Sequence, residues 1–355
     1  MKKISLIDIG SNTIRLVIFE YTEAHGLREE RNIKTPARLA QYIDDQGVMT
    51  EEGIDALLKI LHSFKQISDK YGIEEIYPVA TAAIRQSENR DDIIQRVKDD
   101  LDLDVKIISG DQEATFGYEA AVHTISYYDA VTIDIGGGST ELTFYEDKNL
   151  IYKKSLPFGV VTLKSMFFND KEHNDKKAIK EVKKFVAEQF KKVNWLPGRN
   201  VPILAIGGSA RNIARIHQSL ISYPIAGVHG YTMTRDNLQT VYKLLKSTDV
   251  DDLDSVDGLS KDRVDLIMPA SIVFNTLFDV VEATEFKFSR KGLREGLAMS
   301  IISRDYPTAF NKYRVFDDSI KQLTNDFNID ETDANKRTEL VDRLYHQLER
   351  FDILN

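Results

Sequence analysis

The chain has 355 residues, 42% apolar and 29% charged, and its length exceeds one ordinary core and fits two domains with a small third piece. Its composition is that of a globular protein and excludes a disordered tail or a fibre. It holds no cysteine, which rules out disulfides, thiolate zinc sites and cysteine nucleophiles, and its net charge of −9 argues against general nucleic-acid binding.

Lys2 and Lys3 open the chain like a signal peptide, but Asp8 interrupts the apolar stretch after a few residues. With no run approaching the roughly 20 apolar residues of a membrane helix, a cytoplasmic protein without membrane or nucleic-acid partners is expected. Residues 4–9 and 14–20 predict two strands around Gly10, Ser11 and Asn12. From Gly53 to Tyr71, Ile54, Leu57, Leu58, Leu61, Phe64 and Ile67 recur at helical spacing. A buried strand over 76–80, a helix over 90–101, a strand over 105–109 and a helix from about Asp111 to His123 follow. The pattern then restarts, with strands at 130–135, 140–146 and near 151–156, a basic helix, a strand at 202–206 and a helix from about Ala210. Two similar halves of mixed strands and helices predict an α/β architecture with helices covering sheets. The expected divisions are 1–124, 125–303 and a helical tail over 304–355, with a cleft between the halves.

Two hairpins carry the chemistry. SLIDIGSNTIRL (5–16) and TIDIGGGSTEL (132–142) each end an apolar run in an aspartate, follow it with Gly and Ser, and return to β-forming residues. No Gly-x4-Gly-Lys-Ser/Thr run exists, and after Gly136 and Gly138 the position a dinucleotide fingerprint gives to Gly is Glu141. Thr140, Leu142 and Phe144 alternate with Glu141, Thr143 and Tyr145, so the chain continues as a strand. Such strand–turn–strand units bring backbone N–H groups close to an anion, with Asp8 and Asp134 placed to hold a hard cation against it. A third glycine turn, LAIGGSARNIARI (204–216), leads from a strand into a helix and points helix N–H groups at an anion.

Elsewhere the signals are weaker. Lys153 to Arg199 carries an excess of Lys and Arg, read as the solvated face of an amphipathic helix or as a guide for a polyanion. Asp249 to Asp257 reads as an acidic surface loop, and the scattered histidines fall into no zinc spacing. Ser109, Gly110 and Asp111 read as a helix start, which puts Glu113 in a first turn that favours its ionised form.

The duplicated hairpins with the later glycine loop resemble the actin, hexokinase and Hsp70 superfamily. Within it, IDIGSNTIRL, VATAAIRQSEN (79–89), IISGDQEATFGYEAA (107–121), IDIGGGSTEL, IGGSARNIA and KGLREGLAMSII (291–302) resemble the exopolyphosphatase and guanosine pentaphosphate phosphohydrolase (Ppx/GppA) family. The resemblance implies two ribonuclease H-like, actin-type domains with mixed sheets and an interdomain cleft. It implies hydrolysis of a terminal phosphoanhydride, with Glu113 as catalytic base and Arg85 near the substrate channel. Mg2+, accompanied by a monovalent cation such as K+, would be held by Asp8, Asp134 and Glu141. Phosphate oxygens would meet Ser11, Asn12, Gly136, Gly137, Gly138, Ser139, Gly207, Gly208 and Ser209, and a longer substrate Lys34 and Arg38.

Inorganic polyphosphate is the first substrate this implies and pppGpp the second. A superfamily kinase is disfavoured by the Ser-Gly-x-x-Glu-Ala segment, and a non-catalytic ppGpp sensor is hinted at only by Gln112, where the family usually has a second glutamate. The tail resembles the start of a longer helical region, without its His-Asp dipeptide, and its apolar stripes (Phe316, Ile320, Leu323, Phe327; Leu340, Leu344, Leu348) are an expected homodimer contact or a packing face.

Overall fold

The computed structural model describes residues 1–169 and 171–350. Alternating apolar residues pair β1 (Lys2–Ile9) with β2 (Thr13–Thr22) as a hairpin that sets Asp8 opposite Arg15. β3 (Gly26–Pro36) extends this pair at the edge. It was not expected from the sequence, because a half-buried edge strand carries charges, as in LREER, where a buried strand carries apolar residues. Helix α1 (Glu51–Lys70), capped by Thr50, buries Ile54, Leu57, Leu61 and Phe64 under the sheet. β4 (Ile76–Ala80) then runs parallel to β1, leads through the short α2 (Ala82–Arg85) and α3 (Arg90–Leu101), and is joined by β5 (Lys106–Ile107). The first sheet has the order β3-β2-β1-β4-β5.

The second sheet is built the same way. After α4 (Gly110–Val122), β6 (Ala130–Ile135), β7 (Thr140–Glu146) and β8 (Asn149–Leu156) form an antiparallel meander. Helices α5 (Val160–Phe168) and α6 (Lys176–Lys191) follow, then β9 (Ile203–Ile206), which is parallel to β6, and α7 (Gly207–Leu220). The sheet is completed by β10 (Thr232–Met233) and β11 (Phe286–Phe288), separated by α8 (Arg235–Ser247) and α9 (Ile267–Val281). Its run β8-β7-β6-β9-β11 repeats the order and strand directions of the first sheet, with β10 added at the edge. The chain is thus a duplicated α/β unit, as its two hairpins predict.

One stretch departs from expectation. Lys261–Val281 is long and apolar enough to cross a membrane, with a mean hydropathy of 1.6 over its most apolar window, but 78% of that window is buried. Its helical part, α9, is the central core helix of the second lobe, where Phe274 and Leu277 meet the apolar side of α6 and the sheet. The acidic stretch after Asp249 is likewise anchored, by a 3-10 turn that buries Leu253.

The lobes exchange helices. Tyr118, Ala121 and Val122 of α4 pack on Tyr145 and Leu204 of the second sheet. Helix α10 (Leu293–Asp305), which follows β11, packs Leu297, Ile301 and Ile302 on Ile4, Leu6 and Val17 of the first. The two helices cross so closely that a Cβ on Gly296 would lie 1.8 Å from the carbonyl oxygen of Phe116. Beyond α10 come α11 (Val315–Asp326) and α12 (Glu331–Arg350); Phe316 of α11, Phe327 just after it, and Leu340 and Leu344 of α12 are exposed.

Candidate functional site

Every strand that ends in a glycine turn ends at the same cleft. The two hairpin turns have one construction: Gly10 N donates to Thr13 O at 3.1 Å, and Gly136 N to Ser139 O at 2.9 Å. They meet across the cleft, where a Cβ on Gly137 would lie 2.9 Å from Cβ of Ser11. The third turn follows β9, which lies beside β6 with Ile206 opposite Asp134. Gly207, at φ +90°, lets the backbone pass where a Cβ would sit 2.3 Å from Asp134 Oδ1. α7 starts there, so its first N–H groups open toward the cleft.

Of the residues expected from sequence, Asp8, Ser11, Asn12, Glu113, Asp134, Gly136, Gly137, Ser139, Gly207 and Gly208 all line this one cavity. Gly138 stands behind it, against Ala82 and Ser11. The Ser209 hydroxyl is buried and accepts a hydrogen bond from Arg263 Nη1 at 3.1 Å. Lys34 lies in an adjoining basic chamber and pairs with Asp262 across the mouth between the lobes. Arg38 lines a separate chamber on the Ser11–Asn12 side, with Lys164.

Glu113 is held from two sides. It sits in the first turn of α4, and Arg85, at the end of α2, bonds its Oε2 at 3.2 Å while also donating to Ile108 O at 2.8 Å. The arginine fixes the carboxylate without closing it off, since 14% of the Glu113 side chain remains accessible from the cleft. Burial drives the Glu113 carboxyl up to about 7 against the pull of Arg85, and Asp134 adds to the rise. Gln112 has a different task. Its side-chain oxygen accepts from Ser109 N at 2.8 Å while Ser109 Oγ accepts from Gln112 N at 3.1 Å, a capping box that glutamine serves as well as glutamate. Gln112 is thus engaged at the helix cap and does not line the cleft.

Glu141 lies opposite Asp134 on the hairpin. Ser155 donates to its Oε1 at 2.8 Å, and its Oε2 is buried with no partner among the described residues. Burial, then Glu113, then Asp134 push the Glu141 carboxyl well above its usual range. Asp8 accepts from Arg294 Nη1 at 3.1 Å, and burial raises its carboxyl against the pull of Arg294 and Arg15.

Sequence reasoning missed the cations. Arg15, Arg211, Arg263 and Arg294 all line the cavity. Burial lowers the Arg211 guanidinium to about 10, and Arg294, Arg263 and Arg15 push it further in the same direction. Four guanidiniums that repel one another in a partly dry cleft form a receptor for several negative charges at once. Two of them stand inside quoted motifs, Arg211 in IGGSARNIA and Arg294 in KGLREG, and Arg15 faces Asp8 in a strand register. Arg263 had no local signal.

The donor set fits one mode of metal binding. Among the described residues no three acidic or histidine side chains converge into a cage. Mg2+ commonly keeps several waters and uses one or two carboxylates with substrate phosphates. Asp134 and the unpartnered Oε2 of Glu141 suit that mode.

Residues 17–305 match the family model described as the Ppx/GppA phosphatase family. Two relatives are exopolyphosphatase 1 of Mycobacterium tuberculosis, 24% identical over 84% of this chain and 87% of the relative, and the bifunctional 3-dehydroquinate synthase/phosphatase of Fusobacterium nucleatum. The latter is 29% identical over 77% of this chain, which spans 42% of its length. The crystal structure of the Aquifex aeolicus Ppx/GppA family member superimposes with a TM-score of 0.75 at 25% identity, covering 85% of this chain and 98% of that one.

Proposed function

The chain belongs to the Ppx/GppA phosphatase family, and from that premise we propose that it is an exopolyphosphatase, releasing orthophosphate from the end of inorganic polyphosphate. The observation that carries this reading is Glu113, a carboxylate poised near neutrality by burial and Arg85, facing a cavity walled by glycine turns and five arginines. Glu113 orients a water and accepts its proton as the water attacks the terminal phosphorus in line. The N–H groups of Gly137 and Gly208, with the Ser11 and Ser139 hydroxyls, hold the phosphoryl oxygens. Phosphoryl transfer demands position and neutralisation of charge above all, which these groups supply. Asp134 and Glu141, with Asp8, would hold Mg2+, which would supply further neutralisation of charge at the phosphate oxygens.

Polyphosphate is favoured over pppGpp by the path beyond the cleft. Arg15, Arg211, Arg263, Arg290 and Arg294 line both the cleft and the next chamber, which adds Lys34 and Arg215. A repeating polyanion meets a cation at each step of this path. The test is orthophosphate release from long-chain polyphosphate and from pppGpp, each with Mg2+. Faster release from polyphosphate supports the reading, and turnover of pppGpp alone overturns the substrate.

A further inference from the structure

Arg263 reaches the cleft from an element with little regular structure to hold it. It sits in the 3-10 turn Lys261–Leu266, which has Ser260 as its N-cap. A short 3-10 turn has poor hydrogen-bond geometry of its own and takes its place from what it docks on. The guanidinium nonetheless has a defined seat. A Cβ on Gly208 would lie 2.4 Å from Arg263 Nη2, and Arg263 Nη1 donates to Ser209 Oγ at 3.1 Å, so it lies against the glycine turn that opens α7.

Two contacts seat this segment on α7. Gly258, at φ +88°, brings the chain so close that a Cβ there would lie 2.5 Å from the carbonyl carbon of Arg215. Asn212 makes the second contact: its Oδ1 accepts from Ser260 N at 2.7 Å and from Ser260 Oγ at 3.0 Å, while its Nδ2 donates to Gly208 O at 2.8 Å. A backbone N–H can only donate, so Ser260 fixes which end of the amide faces it. One side chain thus joins the two backbone segments that bracket Arg263. One is the cap of its turn, where Arg263 N donates to Ser260 O at 2.9 Å, and the other is the glycine on which its guanidinium rests. Asn212 is only 3% exposed, and both of its amide atoms are engaged by the protein.

We infer that Asn212 is a positioning residue, which holds Arg263 in the cleft and so sets the grip on polyanions without itself meeting the anion. A buried amide is costly unless it is bonded, and a fully bonded one specifies a single placement of the groups around it. Without the amide, Ser260 N and Gly208 O lose their partner. The turn then relaxes from α7, and Arg263 moves with it.

The test is a double-mutant cycle on the binding of a methylene-bridged analogue of tripolyphosphate, whose P–C–P links resist hydrolysis, measured by calorimetry on the full chain. Arg263→Ala should weaken binding about tenfold and Asn212→Ala about fivefold or more. The double variant should bind within about twofold of Arg263→Ala alone, because the amide acts only through the guanidinium. Ser260→Pro approaches the same contact from the other side: residue 260 sits at φ −80°, which proline adopts, and the change removes both donors to Asn212. It should reproduce the loss, again without adding to Arg263→Ala, and it decides alone if Asn212→Ala does not fold. On polyphosphate, Asn212→Ala should raise KM about fivefold or more and keep kcat within about threefold. This kinetic arm rests on the exopolyphosphatase reading and the binding arm does not, so a protein that releases no orthophosphate but shows the coupling sinks that reading and keeps this inference. Unchanged affinity in folded Asn212→Ala or in Arg263→Ala would overturn it. So would losses that add fully in the double variant, as direct contact with the anion or general loosening of the fold would give, or a fall in kcat with KM unchanged.

Discussion

Glu113 and Arg85 show how a small set of contacts sets a reactive group. The carboxylate is kept from ordinary acidity by burial, and from permanent protonation by one guanidinium at 3.2 Å. In its proposed role as base it works ionised, so kcat/KM of the wild type should rise with pH through about 7. Removing the cation in Arg85→Ala should move that limb upward by about one unit or more and lower the rate at neutral pH, which a pH–rate profile measures directly. Stability runs the other way. Because the folded-state carboxyl of Glu113 is raised above its unfolded value, its contribution is fully present below the unfolded value and lost as pH climbs through about 7. The melting temperature of the substrate-free protein should therefore fall between pH 5 and about 8, and Glu113→Gln should flatten that slope. Asp8 and Asp134 stood out in the sequence because each ends an apolar strand before a glycine turn, whereas Glu113 was picked out by its place in the segment that resembles the family. The arginines were not, since an Arg near the start of a helix, as at Arg211 and Arg294, reads locally as a solvated side chain. Only the packing of α7, α10 and the Arg263 segment turns them inward together.

At the scale of elements, the hairpins were readable and the exchange of helices was not. Strand–turn–strand units are specified by a few neighbouring residues, and both appear where the sequence places them. The crossing of α4 and α10 depends on Gly296 meeting the backbone at Phe116, far away in the chain, and no local pattern encodes that meeting. β3 was hidden for a third reason, because its charges belong to a strand with water on its outer edge. The crossing carries Glu113 on one helix and Arg294 on the other, so it sets the cleft geometry. Gly296→Ala forces the helices apart and should cost about 1–3 kcal/mol of stability, read from denaturant unfolding. Activity should fall by more than the unfolded fraction explains, because the two helices bear site residues.

For the whole molecule, the duplicated lobes enclose a cationic path in a chain whose net charge is −9. That concentration of positive charge in a cleft draws polyanions in and makes their capture sensitive to salt. One acid stands at the mouth: Asp262 of the second lobe pairs with Lys34 of the first and occupies a cation that a long substrate would use. Asp262→Asn frees that cation and removes an opposing charge, so the KM for polyphosphate should fall by about two- to tenfold at low salt, with a steeper loss of affinity as salt is added. The fold and the position of the cleft follow from the duplicated pattern, whereas the mouth is made of residues that meet only when the lobes assemble. The most direct measurement on the central claim is steady-state orthophosphate release from saturating long-chain polyphosphate with Mg2+, comparing the wild type with folded Glu113→Gln. Release by the wild type, reduced about 10²- to 10⁴-fold by the substitution with polyphosphate binding retained, is the predicted result. Equal release by both proteins, or none by a folded wild type, would contradict it.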